Sequence, residues 1–442
     1  MSEARADVSE AAGLSGAGVS SGADVSGAGV SSGAGVTEER DIRGAAGQAG
    51  GAERVIPPGS TIGILGGGQL GRMLALTGSA MGYRFIAMDP TPDAPCGQVS
   101  EQIVASYGDA QAARELARRS DVITYEFENV DADVAAMLTG ESYVPQGSKL
   151  LHTTQHRLRE KRAIEAAGVK VAPYAEVRSA DELREAVARF GTPCVLKTAT
   201  GGYDGKGQWV IRSADEIEDA FNTLSQAKTE LVLEKFIDFS MELSVIAARS
   251  PRGEVKAFPA AENVHVDNIL HLSIVPARVS PEVAARAEEL AVRIASSMEA
   301  VGLLAVEMFV TQDGELYVNE LAPRPHNSGH YTMEACVTSQ FEQHIRAVCN
   351  LPLGSTDLLT PVVMVNVLGE HVEPIIRHFG ADPVQTTNTI NTTDQDQAAH
   401  PKLHLYGKAE AIAKRKMGHV NVLAKSTDAA LQWIEKTNIW RT

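Results

Sequence analysis

The sequence runs to 442 residues, with 44% hydrophobic content and a formal net charge of -16. That length suits two to four domains with an ample core, and the acidic balance excludes a general nucleic-acid binder, leaving small anionic substrates to local basic sites. Cys96, Cys194, Cys336 and Cys349 form no CxxC pair, no apolar run approaches the roughly 20 residues of a membrane span, and no Lys/Arg-led signal opens the chain, so a reduced, cytoplasmic protein without disulfides, zinc or membrane contact is expected.

Residues 1–58 stand apart. The octet Gly16–Ala23 recurs as Gly27–Ala34 in a Gly/Ala/Ser-rich segment without aromatic residues. Such a segment buries too little apolar surface to offset its ordering entropy and is expected to be a disordered extension.

Order is expected from about residue 59. Ile62–Leu65 reads as a buried strand, followed by the glycine turn Gly66–Gly71 and a helix. Arg84–Asp89 is a second strand ending in an acid, Gln111–Arg119 a helix, and Asp121–Glu128 a further strand. Alternation of this kind predicts a Rossmann-like parallel α/β domain over 59–150. The GxGxxG turn followed by Asp89 also fits a dinucleotide fingerprint, so a nicotinamide or flavin enzyme is one alternative; a turn that serves a phosphate or packs helix on strand is the other.

Residues 151–352 read as a second α/β domain. Gln155–Ala167 is helical. Ser179 and Glu182 form a capping box before Leu183, Ala186, Val187 and Phe190, and Gly191 stops that helix. Between it and the next helix lies Gly201–Gln208, four glycines in eight residues, flanked by the apolar runs Pro193–Lys197 and Trp209–Ile211. Glycines there permit positive φ and close approach of backbone N–H groups to an anion, with Lys197 and Lys206 adding charge; a plain hairpin turn is the simpler alternative.

A hairpin further on carries two acids. Leu303–Val310 and Glu315–Leu321 are strands joined through Asp313-Gly314, and a two-residue turn there places Glu307 opposite Glu320. Two like charges so placed call for a hard divalent cation between them, for one protonated glutamate, or for splaying into water. Pro323–His330 follows as a polar loop suited to substrate contact, and residues 353–442 read as a small mainly β domain with basic groups around Lys408 and Arg415.

Taken in order, Lys197 ending a strand, the glycine flap, the strand before Ile237 and the Glu307/Glu320 pair resemble the ATP-grasp superfamily. The segments GGGQLGRM at 66–73, GGYDGKGQ at 201–208, NELAPRPHNSGH at 319–330 and RKMGH at 415–419 are similar, more narrowly, to the 5-(carboxyamino)imidazole ribonucleotide synthetases, over about residues 60–440. The resemblance implies a Rossmann-like N-terminal domain, an ATP-grasp central domain and a small mainly β C-terminal domain. It implies carboxylation of aminoimidazole ribonucleotide with ATP and bicarbonate in purine biosynthesis, with magnesium, in a cytoplasmic homodimer.

It also implies residue roles. Arg157 and Lys197 hold ATP phosphates under a flap of Gly202, Tyr203, Asp204, Gly205, Lys206, Gly207 and Gln208. Glu234, Lys235, Phe236 and Ile237 line the adenine, Glu242 takes the ribose and His265 lies beside the nucleotide. Glu307 and Glu320 hold magnesium, with Asn319 next to them. Tyr203, Asp204, Lys206, His330 and Lys416 handle bicarbonate and the imidazole nucleotide, Lys408 and Arg415 meet its phosphate, and Glu126 faces the same cleft. The chain departs from the family pattern at Lys206, where arginine is usual, and at Ala413-Lys414, where Pro-Gly is usual; the first replaces a planar fork by a point charge.

Overall fold

The computed structural model describes residues 54–201, 206–380 and 399–441. Four parallel strands, β1 (Thr61–Leu65), β2 (Arg84–Asp89), β3 (Glu101–Val104) and β4 (Val122–Tyr125), form a first sheet in the order β3-β2-β1-β4. The strand ends β1 and β4 lie side by side, which sets the glycine turn at the end of β1 against Glu126 at the end of β4. Of the expected disordered extension, residues 1–53 lie outside the described residues, but 54–58 are ordered. Ile56 is buried, its N–H donates to Cys349 O at 2.9 Å, and the Tyr83 hydroxyl donates to its carbonyl at 2.8 Å.

The second sheet holds β5 (Tyr174–Val177), β6 (Cys194–Thr198), β7 (Gln208–Ile211) and β8 (Leu231–Lys235), antiparallel in the order β5-β8-β6-β7. The helix Ala180–Phe190 packs Leu183, Ala186 and Val187 into its core, capped by Ser179 and ended by Gly191 at φ 77°. The expected capping box is only half made: Ser179 Oγ accepts from Glu182 N–H, but Glu182 accepts from Arg178 N–H.

A nine-stranded antiparallel sheet forms the centre. It contains β9 (Phe239–Arg249), β10 (Val255–Ala257), β11 (Ala261–Val266), β12 (Ile269–Val275), β13 (Gly302–Thr311), β14 (Leu316–Ala322), β15 (Val362–Leu368), β16 (His400–Leu405) and β17 (Lys416–Leu423). The order is β14-β13-β9-β11-β12-β15-β17-β16, with β10 paired to β9. The C-terminal strands therefore extend the central sheet through β12 instead of forming a sheet of their own. Strand β12 escapes the sequence reading because its turn has no glycine; Asp267 and Asn268 take φ of 51° and 61°, a conformation short polar side chains tolerate.

Both faces of β9 and β13 are covered, so their residues alternate between two apolar layers. Val245, Ala247, Leu304 and Val306 meet Ala287, Ala291 and Ile294 of the helix Pro281–Ser297. Ile246, Ala248, Leu303 and Ala305 face Tyr331 and Ala347. The helix Gln340–Val348 carries Ala347 there and presents Phe341, Ile345 and Val348 to Leu70, Met73 and Leu74 of the helix Gln69–Ala80. It joins the first sheet to the central one. Among the described residues no helix is long and apolar enough to cross a membrane.

Candidate active site

The hairpin β13–β14 brings Glu307 opposite Glu320, by a route that differs from the expected one. Thr311 N–H donates to Glu315 O at 3.0 Å, so three residues make the turn. A bulge then absorbs the extra residue: Met308 pairs with Val318 and Glu307 with Glu320, leaving Asn319 without a partner strand residue. Burial, and next the Glu320 charge, push the Glu307 carboxyl up to about 8. Glu307 Oε1 lies 3.1 Å from His326 Nε2, and Glu320 Oε2 lies 3.6 Å from Arg157 Nη1. Asn319 Oδ1 is buried without a hydrogen-bond partner. Among the described residues no group of three or more His, Cys, Asp or Glu is placed to hold a metal. Two carboxylates with an orphaned amide oxygen are hard oxygen donors and fit a magnesium ion.

On one side of this pair is a cationic pocket. Lys197, at the end of β6, places Nζ 2.9 Å from Glu234 Oε2 on β8. Lys161 places Nζ 3.2 Å from Glu234 Oε1 and is fully buried. Burial alone would raise the Glu234 carboxyl, but the ammonium groups of Lys197 and Lys161 outweigh it and bring it to about 2. Burial holds Lys197 below the usual lysine range despite that partner. Arg157 and Lys161 stand four apart on the helix Arg157–Ala166, hence on one face, with Glu160 beside them. The sequence reading missed Lys161 and Glu160; the i, i+4 spacing from Arg157 was the available signal.

The expected flap lies between β6 and β7 in the chain. Gly202, Tyr203, Asp204 and Gly205 lie outside the described residues. Gly201 and Gly207, at its two ends, take φ of 76° and 71°, as only glycine does readily. Lys206 is exposed, and Gln208 pairs with Lys197. Past Glu234 the chain turns outward through the exposed Lys235 and Phe236 and the half-buried Ile237. Glu242 Oε2 lies 3.2 Å from His265 Nδ1. Burial works against charge on His265, but Glu242 prevails and holds its pKa above the usual histidine value.

On the other side of the carboxylate pair is a cleft of about 190 Å³. Gln69, Leu70, Phe127 and Glu128 line it from the first sheet's domain, Arg324, His326, Asn327 and His330 from the loop after β14, and Tyr406 and Lys416 from the C-terminal strands. Arg324 grips Glu128 with both arms of its guanidinium, one at 3.0 Å. Lys408 Nζ donates to Lys416 O at 2.7 Å, and burial together with the charges of Arg415 and Lys416 brings its pKa down to about 8. Arg415 Nη1 donates to Glu410 O at 3.4 Å. Lys414, in the departing Ala413-Lys414 pair, adopts φ 63°, so the loop keeps a left-handed turn without glycine; its N–H is held by Glu370 and its ammonium by Asp267.

His330 lines the cleft as expected; it is 1% exposed, bonded through Nδ1 to Gln340 at 2.9 Å, and burial pushes its pKa to about 3. Glu126, at the end of β4, is 5% exposed. Its oxygens accept from the N–H groups of Gly68 and Gly71, inside the glycine turn. Asp89 is likewise turned inward, accepting from Gly67 N–H at 2.9 Å and from the Tyr107 hydroxyl at 2.6 Å. The two acids occupy the donors a dinucleotide pyrophosphate would need, which removes the nicotinamide reading.

Comparison with known proteins agrees in extent and order. Family models match for the ribonucleotide synthetase preATP-grasp domain over residues 60–155, the ATP-grasp domain over 162–341 and the phosphoribosylaminoimidazole carboxylase C-terminal domain over 362–433. An N5-carboxyaminoimidazole ribonucleotide synthase of Bacillus subtilis is 50% identical over 88% of this chain and 97% of its own. A crystal structure of an N5-carboxyaminoimidazole ribonucleotide synthetase in complex with ADP is 54% identical, with a TM-score of 0.81 over 88% of this chain and 98% of its own. The Aspergillus clavatus synthase, solved with ADP and 5-aminoimidazole ribonucleotide, is 31% identical, with a TM-score of 0.74 over 86% and 98%.

Proposed function

The chain belongs to the N5-carboxyaminoimidazole ribonucleotide synthase family, and from that membership we propose how its own residues carry the family's reaction. The enzyme is an ATP-grasp ligase that carboxylates 5-aminoimidazole ribonucleotide with ATP and bicarbonate in purine biosynthesis. One observation supports the division of labour among its residues: the Glu307/Glu320 pair touches Arg157 of the cationic pocket on one side and His326 of the basic cleft on the other. The nucleotide belongs in the first and the imidazole nucleotide in the second.

Lys197 and Arg157 neutralise the phosphates, with Lys197 held in place by Glu234. The backbone of Glu234, Lys235, Phe236 and Ile237 meets the adenine, and Glu242, steadied by His265, meets the ribose. Glu307, Glu320 and Asn319 would hold magnesium, which would supply Lewis-acid charge at the transferring phosphoryl group. A bicarbonate oxygen attacks the γ-phosphorus, releasing ADP and forming carboxyphosphate. The residues supply positioning and charge for this step, with no covalent participation. Tyr203, Asp204 and Lys206 serve the bicarbonate, where exclusion of water would spare carboxyphosphate from hydrolysis.

Carboxyphosphate breaks down to carbon dioxide and phosphate, the substrate amine attacks the carbon, and loss of a proton gives the carbamate. Lys408 and Arg415 take the ribonucleotide phosphate, and Lys416 and His330 of the cleft lining serve the imidazole nucleotide and bicarbonate. We also propose the three domains at 59–150, 151–352 and 353–442, a cytoplasmic location, and a homodimer, which light scattering of the purified chain tests. The activity itself is tested by ADP release. It must rise when aminoimidazole ribonucleotide is added with bicarbonate; a folded sample with ATPase unaffected by both removes the assignment.

A further inference from the structure

Ala199 stands two residues past Lys197, just before the glycine stretch, and its backbone is held from both sides. Its carbonyl accepts from Arg157 N–H at 2.9 Å, and its N–H donates to Glu230 O at 2.7 Å. Arg157 opens the helix Arg157–Ala166, so its N–H is one that no carbonyl of the helix could take. Glu230 leads into β8. Side chains then join the two ends of this chain of bonds. His156, the N-cap residue, gives the helix no side-chain cap; its Nε2 lies 2.7 Å from Glu230 Oε2. A carboxylate only accepts, so Nε2 donates. Nδ1 is buried without a partner among the described residues. Ser, Thr, Asp or Asn at that position would satisfy N–H groups of the first turn, a gain of about 1 kcal/mol that histidine forgoes. Thr200 and Thr229, 2.9 Å apart at their hydroxyls, tie the same two segments one residue further out.

We propose that His156 and Glu230 are positioning residues for the nucleotide: their contact fixes the start of the helix that carries Arg157 and Lys161 against the strand end that carries Lys197. Two backbone bonds in series, both through Ala199, leave the helix start free to pivot about that residue. The His156–Glu230 contact closes the loop and removes the freedom, which sets the spacing of the two cations, Arg157 and Lys197. Neither residue lines the basic cleft, so the effect falls on one substrate. The inference rests on the assignment of the cationic pocket to the nucleotide given above.

Variants of the full chain test it. Rates of ADP release are measured against ATP at saturating aminoimidazole ribonucleotide and the reverse, and ADP affinity is measured by calorimetry without acceptor. His156→Ala and Glu230→Ala are each expected to raise KM for ATP and Kd for ADP about fivefold, while KM for aminoimidazole ribonucleotide stays within about twofold. Glu230 is 53% exposed at its side chain, which holds the effect to that size. The double variant should bind no more weakly than either single one, because one contact is lost in all three. His156→Gln, whose amide N–H can reach the same carboxylate, should recover most of the loss. Equal rises in both KM values, additive losses in the double variant, no recovery in His156→Gln, or unchanged constants overturn the proposal. If His156→Ala fails to fold, Glu230→Ala against Glu230→Gln decides the matter alone. A wild-type enzyme whose ATPase ignores aminoimidazole ribonucleotide overturns the functional assignment; a stimulated wild type with unchanged variants overturns only the positioning role.

Discussion

Glu307 faces Glu320 across a hairpin whose turn and strand both carry one residue more than the simplest pairing allows. The three-residue turn shifts the register by one, and the bulge at Asn319 shifts it back. Without the bulge, Glu307 would face Asn319, and Glu320 would sit on the opposite side of the strand.

Replacing Glu320 with Gln keeps the shape and removes one of two crowded charges. Turnover is expected to fall about a hundredfold or more. Thermal stability of the nucleotide-free protein is expected to hold or rise, since the like charge that opposes ionisation of Glu307 is gone. Steady-state assay and melting temperature together check this; normal turnover removes the metal-pair argument.

Lys408 has its pKa brought down to about 8, so it sheds charge just above neutrality. KM for aminoimidazole ribonucleotide is expected to climb as pH rises through 8 to 9. In Lys408→Arg the guanidinium keeps its charge and that climb should vanish. A pH series of KM for both enzymes, with ATP saturating, decides it.

Lys161 shares Glu234 with Lys197. In Lys161→Met the carboxylate keeps one ammonium partner, and the remaining pair is drawn together. A loss of about 1–3 kcal/mol in unfolding free energy is expected, because a buried carboxylate loses part of its compensation. KM for ATP should rise while that for aminoimidazole ribonucleotide does not. Urea unfolding and the two KM values measure this.

Glu160 is buried and accepts from Leu321 N–H at 2.8 Å; burial, then the Glu320 charge, push its pKa up to about 8. Folded Glu160 keeps a proton that the unfolded chain loses above about 4.5. Its contribution is therefore fully present at low pH and is lost as pH rises through about 8. Glu160→Gln removes the titration. Measured in EDTA, the melting temperature of the wild type should decline relative to the variant between pH 5 and pH 8.5; parallel curves refute the buried-acid account.

The strand end that carries Lys197 and the carboxylate hairpin were legible because each is local: an apolar run ending in a lysine, and two apolar runs about an Asp-Gly. The Glu307/Glu320 prediction survived because the added turn residue and the bulge cancel. Lys161 was illegible because a lysine on a polar helix reads as solvated, and only the approach of Glu234, from a strand more than seventy residues on, buries it. For Glu126 the sequence showed an acid at a strand end beside a cleft but not the backbone N–H groups of Gly68 and Gly71 that it accepts from, on a neighbouring strand's turn. For His330 it showed the cleft position but not the burial against Gln340. Partners brought in by long-range packing were the ones not legible.

The order of strands in the central sheet fixes the order in which the enzyme acquires its two abilities during synthesis. Strands β9 to β14 pair among themselves and, with the second sheet and the helix Arg157–Ala166, carry Lys197, Arg157, Glu307 and Glu320. Lys408, Arg415 and Lys416 arrive only when β15 reaches back to β12 and β17 pairs with β15. A ribosome that has made roughly the first 350 residues has therefore produced the groups proposed for ATP and none of the basic residues proposed for the acceptor. On that proposal, coupling between the two becomes possible only with the last strands laid down.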